Sequence, residues 1–130
     1  MSTLLLDTDV FSYLFKGHPL AGVYRPILQG HIVAISFMTV AELFHGAYRA
    51  VWGEAQLDRL EAQIKTYLVI PSNDGMCKTW GEVRSIRRHQ PISTEDAWIA
   101  ATALAYDCAL VTNNSSDYHS IPGLRIITQK

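Results

Sequence analysis

The sequence predicts an α/β domain with a mainly parallel central sheet flanked by helices, and two observations carry that expectation. Short apolar runs of strand length recur along the chain and are mostly continuous rather than alternating, the pattern of strands buried on both faces. Segments with helical spacing lie between them, so strand and helix signals alternate as they do where helical crossovers join parallel strands. The 130 residues suit one domain, taken as residues 1–130, and a 48% hydrophobic composition suffices for a sizeable core.

Taken in order, Thr3 to Leu6 is the first strand candidate, and its apolar run ends at Asp7. Val10 to Lys16 reads as a helix stopped by Gly17, and Asp7 and Asp9 are equally suited to cap it. A Pro-interrupted helical stretch runs from Leu20 to Gln29, followed by a second strand from His31 to Ile35 and a helix from Thr39 to Arg49. Glu54 to Lys65 is a core-covering helix: Leu57, Leu60, Ile64 and Leu68 recur at helical spacing, while Asp58, Arg59, Glu61, Gln63 and Lys65 occupy other faces. Tyr67 to Ile70 supplies a third strand and Asp74 to Arg88 a helix. Thr94 to Tyr106 is apolar nearly all round after its first turn, which places it centrally; Ser93 suits its N-cap, with Glu95 and Asp96 favoured by the helix dipole. Ala109 to Thr112 and Arg125 to Thr128 are the last strand candidates.

The formal charge of −1 excludes global attraction to nucleic acid, so any such contact must come from a local basic patch or from metal ions. Cys77 and Cys108 are too few for a disulfide framework, lack metal-ligand spacing and lie in apolar stretches that suit small buried thiols. A reducing cytoplasm is the natural setting. The three-residue apolar run at Leu4 to Leu6 has no basic segment before it and supports neither a signal peptide nor a membrane span.

Four acids stand beside apolar runs, where a carboxylate is locally awkward. Asp7 follows Leu4-Leu5-Leu6, Glu42 lies within Phe37 to Phe44, Asp96 precedes Ala97-Trp98-Ile99-Ala100-Ala101, and Asp117 follows Ala109 to Thr112 at short distance. Each has a plain structural account: Asp7 and Asp96 at helix starts, Asp117 in a solvated turn, Glu42 on a helix surface. Glu42 resists that account best, because apolar residues surround most of its helix. If the fold gathers these acids, each pair repels by roughly 3 kcal/mol at ~5 Å and an effective dielectric of ~20, which calls for a compensating cation. Oxygen ligands suit Mg²⁺ or Mn²⁺, which bind a few carboxylates and keep water or substrate phosphate in the remaining positions. Open α/β sheets place ligands beyond the carboxyl ends of their strands, where Asp7 and Asp117 fall.

The order and context of these acids resemble the PIN-domain nucleases, specifically the small proteins of the VapC toxin type. Leu4 to Val10 resembles the opening strand and first acid, and Ile35 to Leu43 with Gly46-Ala47 resembles the second motif. Pro91-Ile92-Ser93 through Asp96 to Leu104 resembles the third, and Leu110 to Asn114 with Asp117-Tyr118 the closing segment. The resemblance covers essentially the whole chain. It implies a PIN-like fold in which Asp7, Glu42, Asp96 and Asp117 are the catalytic, metal-binding acids, with Thr8, Asp9 and Thr112 as supporting groups. The chain departs from the family pattern at Asp9, where Asn is usual, at His89, where Gly is common, and at Tyr118, where Phe is frequent.

By the same resemblance the chain is an endoribonuclease toxin using Mg²⁺ or Mn²⁺, forming a homodimer and restrained by a VapB-like antitoxin. Water attack on the phosphodiester then leaves 5′-phosphate and 3′-hydroxyl ends without using the ribose 2′-hydroxyl as nucleophile. Between Met76 and Gln90, Lys78, Arg84, Arg87 and Arg88 face one carboxylate, Glu82, a local charge of +3; Arg84, Arg87 and Arg88 are candidate RNA contacts. The plain reading is cations at a helix C-terminus. Competing functions are a haloacid-dehalogenase-type phosphatase with Asp7 as nucleophile and Asp9 as acid/base, an RNA-processing PIN nuclease, and a regulatory binding module. No zinc spacing joins the five histidines, and no Gly-x-Ser-x-Gly elbow supports a serine hydrolase.

Overall fold

The computed structural model describes residues 2–130. The elements run β1 (Thr3–Leu6), α1 (Thr8–Lys16), α2 (Ala21–Leu28), β2 (Ile32–Ser36), α3 (Phe37–Arg49), α4 (Glu54–Ile64), β3 (Leu68–Ile70), α5 (Asp74–Ile86), α6 (Thr94–Ala105), β4 (Ala109–Val111), a 3₁₀ turn (Ser115–Tyr118) and β5 (Ile126–Ile127). Among the described residues the strands form one sheet in the order β3-β2-β1-β4-β5, and every pairing is parallel. The α/β class and the parallel sheet are therefore as the sequence predicts.

Pleating divides the core into two layers. Leu5, Ala34 and Leu110 point to the side covered by α5 and α6, where Met76, Val83, Ala97, Ala100 and Ala101 pack. Leu4, Leu6, Ile35 and Val111 point to the other side, against Val10, Phe11, Tyr24, Ala47, Leu60 and Ile64. Each fully buried Leu or Ile stabilises this arrangement by roughly 1.5–3 kcal/mol. Helix α6 is the central one, burying Ala97, Ile99, Ala100, Ala101, Thr102 and Ala103. Its Thr102 Oγ1 lies 2.9 Å from Ser36 Oγ at the end of β2, a buried polar tie across the layers.

Several boundaries and exposures differ from the sequence expectation, each for a local reason. Helix α1 begins at Thr8 because Asp7, rather than Asp9, is the N-cap: its Oδ1 accepts from the Val10 amide at 2.8 Å. It ends at Gly17, whose φ of 66° is the left-handed cap that glycine favours. Helix α3 begins at Phe37 because Ser36 Oγ accepts from the Met38 amide at 3.1 Å. Leu68 leaves the apolar stripe of α4 and joins β3, an edge strand with Leu68 and Val69 exposed, so burial on both faces fails there. Cys77 is also exposed, whereas Cys108 is buried. Among the described residues no helix is long and apolar enough to cross a membrane.

Candidate active site

Strand order reverses at β1, whose neighbours are β2 and β4, and the crevice beyond the carboxyl ends of β1 and β4 is where such sheets bind ligands. The ladder register sets Leu6 against Val111, so Asp7 and Thr112 emerge side by side from adjacent strands. Helices α3 and α6 flank the crevice and lend it Glu42 and Asp96. Asp117 arrives on the 3₁₀ turn after β4. All four predicted acids line one hollow of about 220 Å³, with Thr8, Asp9, Ile99, Asn114 and Tyr118 as the other lining residues, and no lysine or arginine among them.

Each acid is held differently. Asp7 is buried at 4% exposure, with Oδ1 on the Val10 amide and Oδ2 accepting from Thr112 Oγ1 at 2.5 Å. Burial pushes its carboxyl up to about 6, against the opposing pull of those hydrogen bonds, and the charges of Asp9 and Asp96 push the same way as burial. Glu42 Oε1 accepts from Thr8 Oγ1 at 2.6 Å, and Thr39, 3.1 Å away, donates in turn to Thr8. Desolvation raises the Glu42 carboxyl above its ordinary range. Asp96 sits in the first turn of α6, its amide bonded to the Ser93 cap at 3.0 Å and its Oδ1 accepting from Tyr118 Oη at 3.1 Å. Its carboxyl is likewise raised by burial, with Asp117 and Asp9 adding like charge. Asp117 is exposed. Asp9 is exposed too and accepts from Asn114 Nδ2 at 2.8 Å.

Thr8 and Thr112 each donate a hydroxyl hydrogen bond to one of the acids, Glu42 and Asp7 respectively. Thr39, Asn114 and Tyr118 complete the network and were not singled out by the sequence as site groups. Thr39 lies three residues before Glu42 on α3, a spacing that brings two side chains onto one helix face. For Asn114 and Tyr118 the local pattern offered no comparable signal, because their partners Asp9 and Asp96 are distant in sequence.

Of the proposed RNA contacts, Arg87 is corrected. It is 6% exposed, and its guanidinium is committed inward: Nε donates to the Gln90 carbonyl at 2.8 Å, and Nη1 to the carbonyls of Asp117 and His119 at 3.1 and 3.0 Å. The chain folds back after α5 and finds in Arg87 the donor that satisfies these carbonyls. Arg84 lies partly exposed over the Trp80 ring at 5.4 Å, and Arg88 is exposed with Nη1 on the Ser85 carbonyl.

The donor set fits a hard divalent cation, being all oxygen in a hollow that holds uncompensated acids and no chain cation. Among the described residues no three His, Cys, Asp or Glu side chains converge as a ready-made metal site, so the acids line the hollow without forming a protein-only cage.

A crevice of acids at the switch point of a five-stranded parallel sheet is one kind of nuclease architecture, and the PIN-domain family model matches residues 4–122. The chain belongs to the PIN-domain family. It is 30% identical to ribonuclease VapC1 of Haemophilus influenzae strain R2866 over 125 residues, 93% of each chain. It is 29% identical to the tRNA(fMet)-specific endonuclease VapC of Salmonella typhimurium strain LT2 over 97% of each. The solved structure of DNA-bound VapBC from Salmonella typhimurium superposes with a TM-score of 0.84 at 26% identity, covering 98% of each chain. The dehalogenase-type reading of Leu4 to Val10 falls with this assignment, since the match takes in the whole crevice rather than one motif.

Proposed function

We propose that the chain is a Mg²⁺- or Mn²⁺-dependent endoribonuclease, the toxin of a VapBC-type pair, acting in the cytoplasm on RNA. The observation that carries this reading is the meeting of Asp7, Glu42, Asp96 and Asp117, from four separate parts of the chain, in one hollow without a basic residue. The similarity to VapC ribonucleases over nearly the whole length supports the substrate class, and the similarity to VapBC structures supports a VapB-like antitoxin as partner. A homodimer is part of the same reading.

Asp7, Glu42, Asp96 and Asp117 would hold the cation. When bound, it supplies water activation and charge stabilisation for in-line hydrolysis of a phosphodiester. The chain's own contribution is orientation. Thr112 and the Val10 amide fix both oxygens of Asp7, Thr8 fixes one oxygen of Glu42, and Tyr118 fixes one oxygen of Asp96. Carboxylates so held lose little freedom on ligation, and a fixed polar environment is worth most in a partly dry site. No side chain is required as a nucleophile. Arg84, in the last turn of α5, and Arg88, just beyond its end, are the candidate phosphate contacts, and Arg87 supports the turn beneath the site.

The test is hydrolysis of RNA by antitoxin-free protein with Mg²⁺ or Mn²⁺, with 5′-phosphate ends mapped after brief induction in cells. Metal-dependent cleavage that Asp7→Asn abolishes supports the reading. Cleavage that persists in chelator, or that Asp7→Asn leaves intact, overturns it.

A further inference from the structure

Tyr118 is 2% exposed, yet its hydroxyl reaches the acidic hollow and meets one protein partner there, Asp96 Oδ1 at 3.1 Å. A phenol keeps its proton near neutral pH, so Tyr118 donates and Asp96 accepts. The ring is itself pinned. Arg87 Nη1 donates to the carbonyls of Asp117 and His119, the residues immediately before and after Tyr118, while its Nε closes on Gln90. Tyr118 therefore stands on a backbone segment clamped on both sides.

We propose that Tyr118, clamped by Arg87, is a positioning residue that sets the orientation of the Asp96 carboxylate for cation binding. The inference rests on the reading of Asp96 as a metal ligand. Asp96 sits in the first turn of α6, where the Ser93 cap engages its backbone amide and leaves carboxylate rotation to be settled by side-chain contacts. The phenol occupies Oδ1 and so selects which oxygen remains for the cation. A group that orients a ligand in this way is worth about 10–100-fold in metal affinity.

The experiment titrates Mn²⁺ alone, without RNA, into wild type, Tyr118→Phe, Asp96→Asn and the double variant, following binding by calorimetry. Tyr118→Phe is expected to weaken Mn²⁺ binding about 10-fold while retaining a cooperative melt, and to add nothing in the Asp96→Asn background. Wild-type affinity in Tyr118→Phe, or equal weakening with and without the Asp96 carboxylate, overturns the inference. Metal-free wild type and Asp96→Asn, labelled with ¹³C at tyrosine Cζ, supply a second readout. The Tyr118 resonance, assigned by its loss in Tyr118→Phe, is expected to move when the charged acceptor becomes an amide, and an unmoved signal rules out the contact. Should Asp96→Asn bind Mn²⁺ as wild type does, the metal-ligand reading fails and the positioning role with it. A shifted resonance would then show a hydrogen bond without that role.

Discussion

The two corners of the sheet that meet over the hollow are built in opposite ways. At the β1–α1 corner the acid is buried and tied through its side chain: Asp7 caps α1 and takes the Thr112 hydroxyl on its other oxygen. At the corner after β4 the acid is exposed and tied through its backbone. Asp117 stands on one 3₁₀ turn whose carbonyls are held from below by Arg87, while Tyr24 Oη donates to Asn113 Oδ1 at 2.6 Å a few residues earlier. Side-chain restraint is thus concentrated where charge costs most. A carboxylate with access to water needs only its backbone held, whereas a buried one must be supplied with donors.

The contrast predicts unequal consequences from equal substitutions. Asp7→Asn keeps an N-cap of similar strength and removes the charge, so turnover is expected to fall by more than about 100-fold in a folded protein. Near-wild-type rates at saturating Mg²⁺ would break the comparison at its stronger corner. Asp117→Asn is expected to cost closer to 10-fold and to recover in part at high metal concentration, because water can replace an exposed ligand. Equal losses in the two variants would mean that exposure does not decide the matter.

Stability should separate the corners as well. Replacing Arg87 by Met removes a charged donor from three carbonyls and is expected to destabilise the fold by about 2–4 kcal/mol, a fall of on the order of 10 °C in melting temperature. An unchanged melt would show that the turn after β4 is held by other means.

The smallest effect is the Asp7 share of a pH slope to which the raised carboxyls of Glu42 and Asp96 contribute in the same direction. The Asp7 carboxyl lies at about 6 in the folded chain against 3.8 when unfolded, so the folded state is the one that retains the proton between those values. The stabilisation this gives the metal-free protein, roughly 3 kcal/mol at most, is complete below about pH 4 and is lost as pH rises through 6. Melting temperature of chelated protein should therefore decline across that interval, and the decline should shrink in Asp7→Asn. A rise in wild type would reverse the sign of the argument.

Much of this was legible in the residues. Strand runs at Leu4-Leu5-Leu6 and Ala109 to Val111 and the apolar circumference of α6 announced a buried parallel sheet, and acids beside such runs announced the hollow. Leu68 misled because a helical stripe and a strand share it, and edge exposure depends on which strand has no neighbour, a property of the whole sheet. Arg87 misled because composition shows a cluster of cations without showing which one turns inward. Its acceptors are the carbonyls of Asp117 and His119, about thirty residues away, and backbone acceptors leave no mark on a sequence. Tyr118 was visible only as a departure from a family pattern until Asp96 was found beside it.

The hydrogen bond between Thr112 and Asp7 spans 105 positions, and β1 meets β4 only after α1 to α6 have been made. On a ribosome the chain emerges from its N-terminus, so Asp7 and Glu42 spend most of synthesis without the strand that completes their corner. An N-terminal fragment ending before Thr112 has two or three of the acids and none of the support given by Thr112, Asp117 and Tyr118. The hollow is closed by the segment that follows β4, and a partly made chain is unarmed until it arrives.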